Sequence, residues 1–369
     1  MIKPDRRGLL AAGLAGLAGP SLAQTPQPEP YLALALQTAC DAVNADATPE
    51  AARARIGRAI SRIGAQVRAS VGFLRGFTGV APRLVLLPEY AFTGFPQGES
   101  RELWIAKAAF DPKGREYADL ATLAQGARVF LVVNAYETDP KFPGLYFQST
   151  VILSPAGETV LRYRRMISLF APTPFDVWDR FLDTYGYDAV FPVAKTEIGT
   201  LAAIASEEIL YPEIARMTAQ KGAEIYLHPT SEVGSPDLTP KEIARRARAV
   251  ENMAYVVSAN TGGLIGTAIP AASTDGMSKV IDPSGRVLAV AGEGESLVAN
   301  AVVDLVSLRS LRRRAGMTNL MSRQPWGAYA QGYAEAPGLK PGEAPPDRDA
   351  ASGRQAETIR RLVEAGVLR

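Results

Sequence analysis

Residues 200–216 read TLAAIASEEILYPEIAR, and the fold turns on how that stretch is parsed. Residues 201–205 are a short apolar run, suited to a buried strand, and Glu207 and Glu208 follow it at once. The spacing predicts a strand, a sharp turn at Ser206 and a helix opening near Pro212. A side chain at such a strand end is aimed into the cleft above a sheet, where reactive groups are commonly placed. The ordinary alternative for Ser206 is a plain turn serine.

Outward from this unit, strand and helix signals alternate. Apolar runs at 31–38, 83–87, 129–136, 224–228, 255–259, 278–281 and 297–303 predict strands. Residues 146–153 and 159–164 flank Ser154-Pro155-Ala156-Gly157, which is hairpin chemistry, and 191–196 with 199–204 form a second antiparallel pair. Helices are predicted over 51–69, 116–125, 212–221 and 243–253, the first opened by Thr48-Pro49 and the last by a capping box, Thr239-Pro240-Lys241-Glu242. Hairpins mixed with crossovers imply a mixed sheet, in two layers with helices outside. From Met321 onward Pro, Gly and charge replace the periodic pattern, and helical spacing returns only over 356–368.

The first residues have a different character. Lys3, Arg6 and Arg7 precede an apolar run over 8–19, too short to span a bilayer, and Pro20 is followed by Ser21-Leu22-Ala23. This predicts an export signal over 1–23, of twin-arginine type from the pair Arg6-Arg7, with a Sec signal as the alternative. Residues 24–30 then form a solvated lead-in, 31–320 the folded domain and 321–369 an extended tail with a short terminal helix. The leading segment's three positive charges and one negative account for the formal net charge of +2. The rest is near neutral, which leaves no basic field for nucleic acid or an anionic membrane. The single cysteine, Cys40, excludes an internal disulfide. No cysteine–histidine cluster and no phosphate-binding glycine loop is present, so neither a metal nor an organic cofactor is implied.

Three polar positions carry candidate chemistry. Glu89 directly follows a predicted buried strand (LVLLPEY, 84–90). Partial desolvation there would raise its pKa, as suits a general base, whereas a surface capping glutamate is the ordinary reading. Arg162, Arg164 and Arg165 crowd the end of a hairpin strand. Two of them read as solvated edge charges and the third as pointing inward to hold an oxyanion. Ser206 is the third position. His228, the sole histidine, reads as a cap or packed turn residue.

Together these segments resemble the nitrilase, or carbon–nitrogen hydrolase, superfamily. The resemblance rests on LVLLPEYAFTGFP, GETVLRYRRMISLF, IGTLAAIASEEILYPEIARMTAQKGAEIYLHPT, RRARAVENMAYVVSANTGG and VIDPSGRVLA, and spans about Tyr31 to Val306. It implies an α/β fold, an α-β-β-α sandwich of two mixed sheets flanked by helices, whose protomers pair into homodimers or larger homo-oligomers. It also implies hydrolysis of a small amide or nitrile by a Glu base, a Cys nucleophile and a Lys that holds developing charge. On this chain the Glu falls on Glu89, the Lys position on Arg165 and the Cys position on Ser206. A further glutamate is expected near Thr173, where the nearest carboxylates are Asp176 and Asp179. Candidate pocket aromatics are Tyr90, Phe92, Phe170, Trp178 and Tyr211. Serine needs a stronger base than cysteine, whose thiol ionises near pH 8.5. Arginine keeps its charge but aims its donors differently from lysine. Three outcomes stand side by side: an exported hydrolase of a small amide or ester, a catalytically silent relative that binds a small molecule in the same pocket, and a structural or interaction protein with a vestigial cleft, against which the retained Glu89 argues.

Overall fold

The apolar runs become two facing sheets in the computed structural model, which describes residues 28–369 apart from 170, 234–237, 275, 339 and 344–347. The predicted export signal lies outside the described residues, as does Phe170.

The first sheet runs, edge to edge, Asn300–Val303, Tyr31–Ala35, Pro82–Leu86, Phe130–Thr138, Tyr146–Leu153 and Thr159–Arg164. The second runs Val287–Val290, Lys279–Ile281, Tyr255–Ala259, Ile225–Pro229, Gly199–Ala203 and Ala194–Thr196. The middle strands of each pair in parallel, and the outer ones antiparallel. That is the mixed pattern the hairpins and crossovers predict.

Strand Tyr31–Ala35 shows why its run is apolar throughout. Tyr31, Ala33 and Ala35 point into the core between the sheets, while Leu32 and Leu34 point into a second core under the outer helices. A strand covered on both faces has no polar side to display. The Tyr31 hydroxyl donates to Ile198 O at 2.8 Å, which ties one sheet to the other.

Helices Pro49–Thr78 and Arg115–Ala127 cover the first sheet through buried stripes that include Ile56, Ile63 and Val67 from one and Leu120 and Leu123 from the other. Pro212–Gln220 and Pro240–Asn252 pack against the second. The first helix runs nine residues beyond its predicted end at 69. Gly72 and Gly76 face open space, and Val71 and Leu74 continue the buried stripe. Sequence reading missed the helices Arg101–Ala108, Trp178–Tyr185 and Leu305–Arg313. It also left 326–334 irregular, where Trp326–Ala334 is a helix. That helix lies against Pro212–Gln220: Tyr333 donates to Glu213 Oε1 at 2.7 Å, and the Arg216 guanidinium stands over the Trp326 ring. The terminal helix is Arg348–Glu364, starting and ending earlier than predicted. Among the described residues no helix is long and apolar enough to cross a membrane.

Candidate active site

Ser206 stands where strand Gly199–Ala203 has ended and a 3-10 turn, Ser206–Leu210, begins. Its φ of 50° is left-handed, a conformation that costs a residue with a Cβ roughly 1–2 kcal/mol. Two neighbours hold it there. His228 on strand Ile225–Pro229 is fully buried, and its Nε2 donates to Ser206 O at 2.8 Å. A carbonyl can only accept, so Nε2 carries the proton and Nδ1 is left to accept from Ser258 Oγ at 2.8 Å. Burial and the neighbouring Arg245 hold the His228 pKa well below the ordinary value, so the ring is neutral. His228 is therefore a strand residue bracing the turn from behind, not the turn residue expected.

Glu208 is the second brace. Its carboxylate is completely buried and accepts from Ala205 N, Met166 N, Ile167 N and the Tyr163 hydroxyl, at 2.7–3.0 Å. Burial raises the pKa of this carboxyl, with Arg165 and the donors opposing. The Ser206 turn is thereby pinned to the end of strand Thr159–Arg164.

Arg165 follows that strand and is 6% exposed. Its Nη1 bonds Glu89 Oε1 at 3.0 Å and Gln148 Oε1 at 2.7 Å; Nη2 meets Glu207 Oε1 at 2.5 Å, and Nε meets Ile167 O at 2.5 Å. One N–H of Nη2 keeps no partner among the described residues. Burial alone would depress its pKa, and Glu89, Glu207 and Glu208 more than reverse that. Arg162 and Arg164 correct the sequence reading. Neither is a free edge charge: Arg162 pairs with Glu137 at 3.0 Å, and Arg164, itself buried, pairs with Asp139 at 2.6 Å.

Glu89 is 2% exposed, three residues beyond the end of strand Pro82–Leu86. Its Oε1 takes both Arg165 and Gln148 Nε2, the latter at 2.8 Å, while Oε2 has no hydrogen-bond partner among the described residues. The next residue, Tyr90, also has a positive φ, 36°. Both strand ends at the site thus carry backbone that ordinary residues avoid.

Glu89 and Arg165 touch directly, and Glu207 links Arg165 to the Ser206 turn. The Ser206 hydroxyl itself meets neither Glu89 nor His228. Its neighbour is Lys241, whose Nζ lies 3.4 Å from Ser206 Oγ and 3.4 Å from Thr230 Oγ1. Thr230 O in turn accepts from Glu89 N at 3.3 Å, which closes the ring of contacts. Sequence reading missed Lys241, Gln148 and Glu208. The signal for Lys241 was in view, since it stands second in a helix whose N-terminal dipole disfavours a cation.

The remaining expectations divide. Asp176 caps its own 3-10 turn by accepting from Thr173 N, and Asp179 is exposed. Phe92 belongs to the core under the outer helices. Trp178 packs with Phe142 and Phe181 in a small separate cluster, and Tyr211 is 42% exposed. Among the described residues no three His, Cys, Asp or Glu side chains are gathered as a metal site requires.

Comparison with known proteins places the fold and the family. The carbon-nitrogen hydrolase family pattern matches residues 61–313. The formamidase of Helicobacter acinonychis is 28% identical over 190 residues, which cover 51% of this chain and 52% of that enzyme, so the chain spans about half its length. A nitrilase of Pyrococcus abyssi is 30% identical over 230 residues, 62% of this chain and 80% of the relative. The crystal structure of a carbon-nitrogen hydrolase from Helicobacter pylori superposes with a TM-score of 0.62 at 21% identity, covering 83% of this chain and 99% of the other, a likeness of fold. The two-sheet sandwich and the extent of the family match carry the assignment: this chain belongs to the carbon–nitrogen hydrolase family.

Proposed function

We propose that the protein cleaves the carbon–nitrogen bond of a small amide or nitrile, with Ser206 in the nucleophile position, Glu89 as general base and Arg165 holding developing negative charge. One observation carries the reading: a strained, buried serine at a strand end shares a ring of contacts with an ion-paired glutamate. Glu89 Oε2, free of the Arg165 and Gln148 bonds, is the atom left to take a proton from Ser206 or from the attacking water. The unpartnered N–H of Arg165 is the donor left for an oxyanion. With a panel of short amides, the purified protein is expected to release ammonia or amine. Ser206→Ala removes that activity, and Glu89→Gln lowers it by about 10²–10⁴-fold. Turnover unchanged in Ser206→Ala would reject serine as nucleophile.

A second reading, a silent site that only binds a small amide or carboxylate, draws on His228. The sole histidine gives both ring nitrogens to structural partners and cannot activate Ser206. This version expects a small ligand to raise the melting temperature of the wild type and not of Arg165→Ala.

Export is proposed from Lys3, Arg6 and Arg7 ahead of the apolar run, and N-terminal sequencing of the periplasmic fraction should begin at Gln24. A homodimer is proposed from the family resemblance, to be checked by sedimentation.

A further inference from the structure

We propose that Lys241 is the group that takes the Ser206 proton during acyl transfer, leaving Glu89 to act on the hydrolytic water. This rests on Ser206 being the nucleophile and assigns its base to a residue outside the Glu89–Arg165–Ser206 set.

The reason is positional. Glu89 and His228 are the other candidate bases, and neither touches the Ser206 hydroxyl. Lys241 Nζ lies 3.4 Å from it, a reach that tightens readily when a substrate closes the site. Thr230 Oγ1, at the same distance on the other side, orients the amine. Lys241 is also built to lose its charge. It is the second residue of the thirteen-residue helix Pro240–Asn252, so its ammonium faces the positive end of the helix dipole. Burial is the largest influence on its pKa and lowers it. The charged groups that face it come from every surrounding element: Glu89 and Glu232 favour the ammonium, Arg245 one turn along its helix and Arg165 across the cleft disfavour it, and the neutral His228 lies beyond. The net direction is downward, toward the free amine that a base must be.

The steps balance. Neutral Lys241 accepts the Ser206 Oγ proton as Oγ bonds to the amide carbon, and the carbonyl oxygen takes the negative charge toward Arg165. The tetrahedral intermediate collapses, the C–N bond breaks and the Lys241 ammonium gives its proton to the departing nitrogen. Water, deprotonated by Glu89, then attacks the Ser206 ester, and Oγ leaves with the proton to restore serine. The sum is amide plus water giving acid plus amine.

The test uses a fluorophosphonate probe on the purified protein, with the site of attachment mapped by mass spectrometry and the rate measured across pH. In the wild type Ser206 is labelled, faster as pH rises through the Lys241 titration. In Lys241→Met and Lys241→Gln labelling slows by about 10²–10⁴-fold and that pH rise vanishes, with the circular dichroism and melting temperature retained. Lys241→Arg, which keeps the charge but cannot give it up, is equally slow. Wild-type labelling rates in Lys241→Met, or in Lys241→Arg, would overturn the assignment of Lys241 while leaving Ser206 as nucleophile. No labelling of Ser206 in the wild type at any pH would overturn the Ser206 reading and this inference with it.

Discussion

Ser206 concentrates the physics of the site in one backbone angle. Its φ of 50° is comfortable for glycine and costly for alanine, whatever the side chain does chemically. Ser206→Gly should therefore be more stable than Ser206→Ala by about 1 kcal/mol in urea unfolding, although both lack the hydroxyl. Equal stabilities would mean that the turn is not strained. Glu89 and Ser206 stand out in the chain because each follows an apolar strand, whereas Arg165 is singled out only by the order of segments that resembles the superfamily. Gln148 does not stand out, because it sits in a strand of ordinary pattern, and a cation at a helix start marks Lys241 as odd without assigning it to the site. Nothing in a capping sequence such as Thr239-Pro240-Lys241-Glu242 says which strand end the helix will face. Even the capping box is half formed: Thr239 Oγ1 accepts from Glu242 N, while the Glu242 carboxylate turns to Lys279, Arg245 and Arg246.

At the scale of elements, strand Ile225–Pro229 and the turn in front of it form one unit, joined by His228. The neutral ring binds its proton less readily when folded than the unfolded chain does, because burial and Arg245 depress its pKa. Its contribution to stability is thus complete above the ordinary imidazole value of about 6.5 and is lost progressively as pH falls toward the depressed folded value. Between pH 6.5 and 5.5 the wild type should lose up to about 1 kcal/mol that His228→Gln does not lose. The chain has one histidine, so the difference between the two urea titrations is specific. A parallel loss in both proteins would show that the ring titrates freely. Strand positions were legible here since each run is bounded by turn residues. Helix ends were less so, because what carries the first helix past 69 is the packing of Val71 and Leu74, with Gly72 and Gly76 facing open space.

Across the whole molecule, one core joins the two sheets: Leu84 and Val132 of the first share it with Leu201, Leu227 and Val256 of the second. Leu84→Ala should cost about 3 kcal/mol and leave a single transition by both fluorescence and circular dichroism, since neither sheet keeps a core without the other. Two separated transitions would argue against a shared core. The layered architecture was readable from alternating strand and helix signals, and the irregular composition of 321–336 hid the helix Trp326–Ala334, which is held by contacts with Glu213 and Arg216 rather than by its own propensity. The proposed hydrolysis depends on a covalent bond at one oxygen. Wild-type protein mixed with excess short amide, acid-quenched within one turnover and digested, should carry the acyl mass on the peptide containing Ser206. Ammonia released at the full rate with no acyl mass on that peptide, and undiminished in Ser206→Ala, would contradict it.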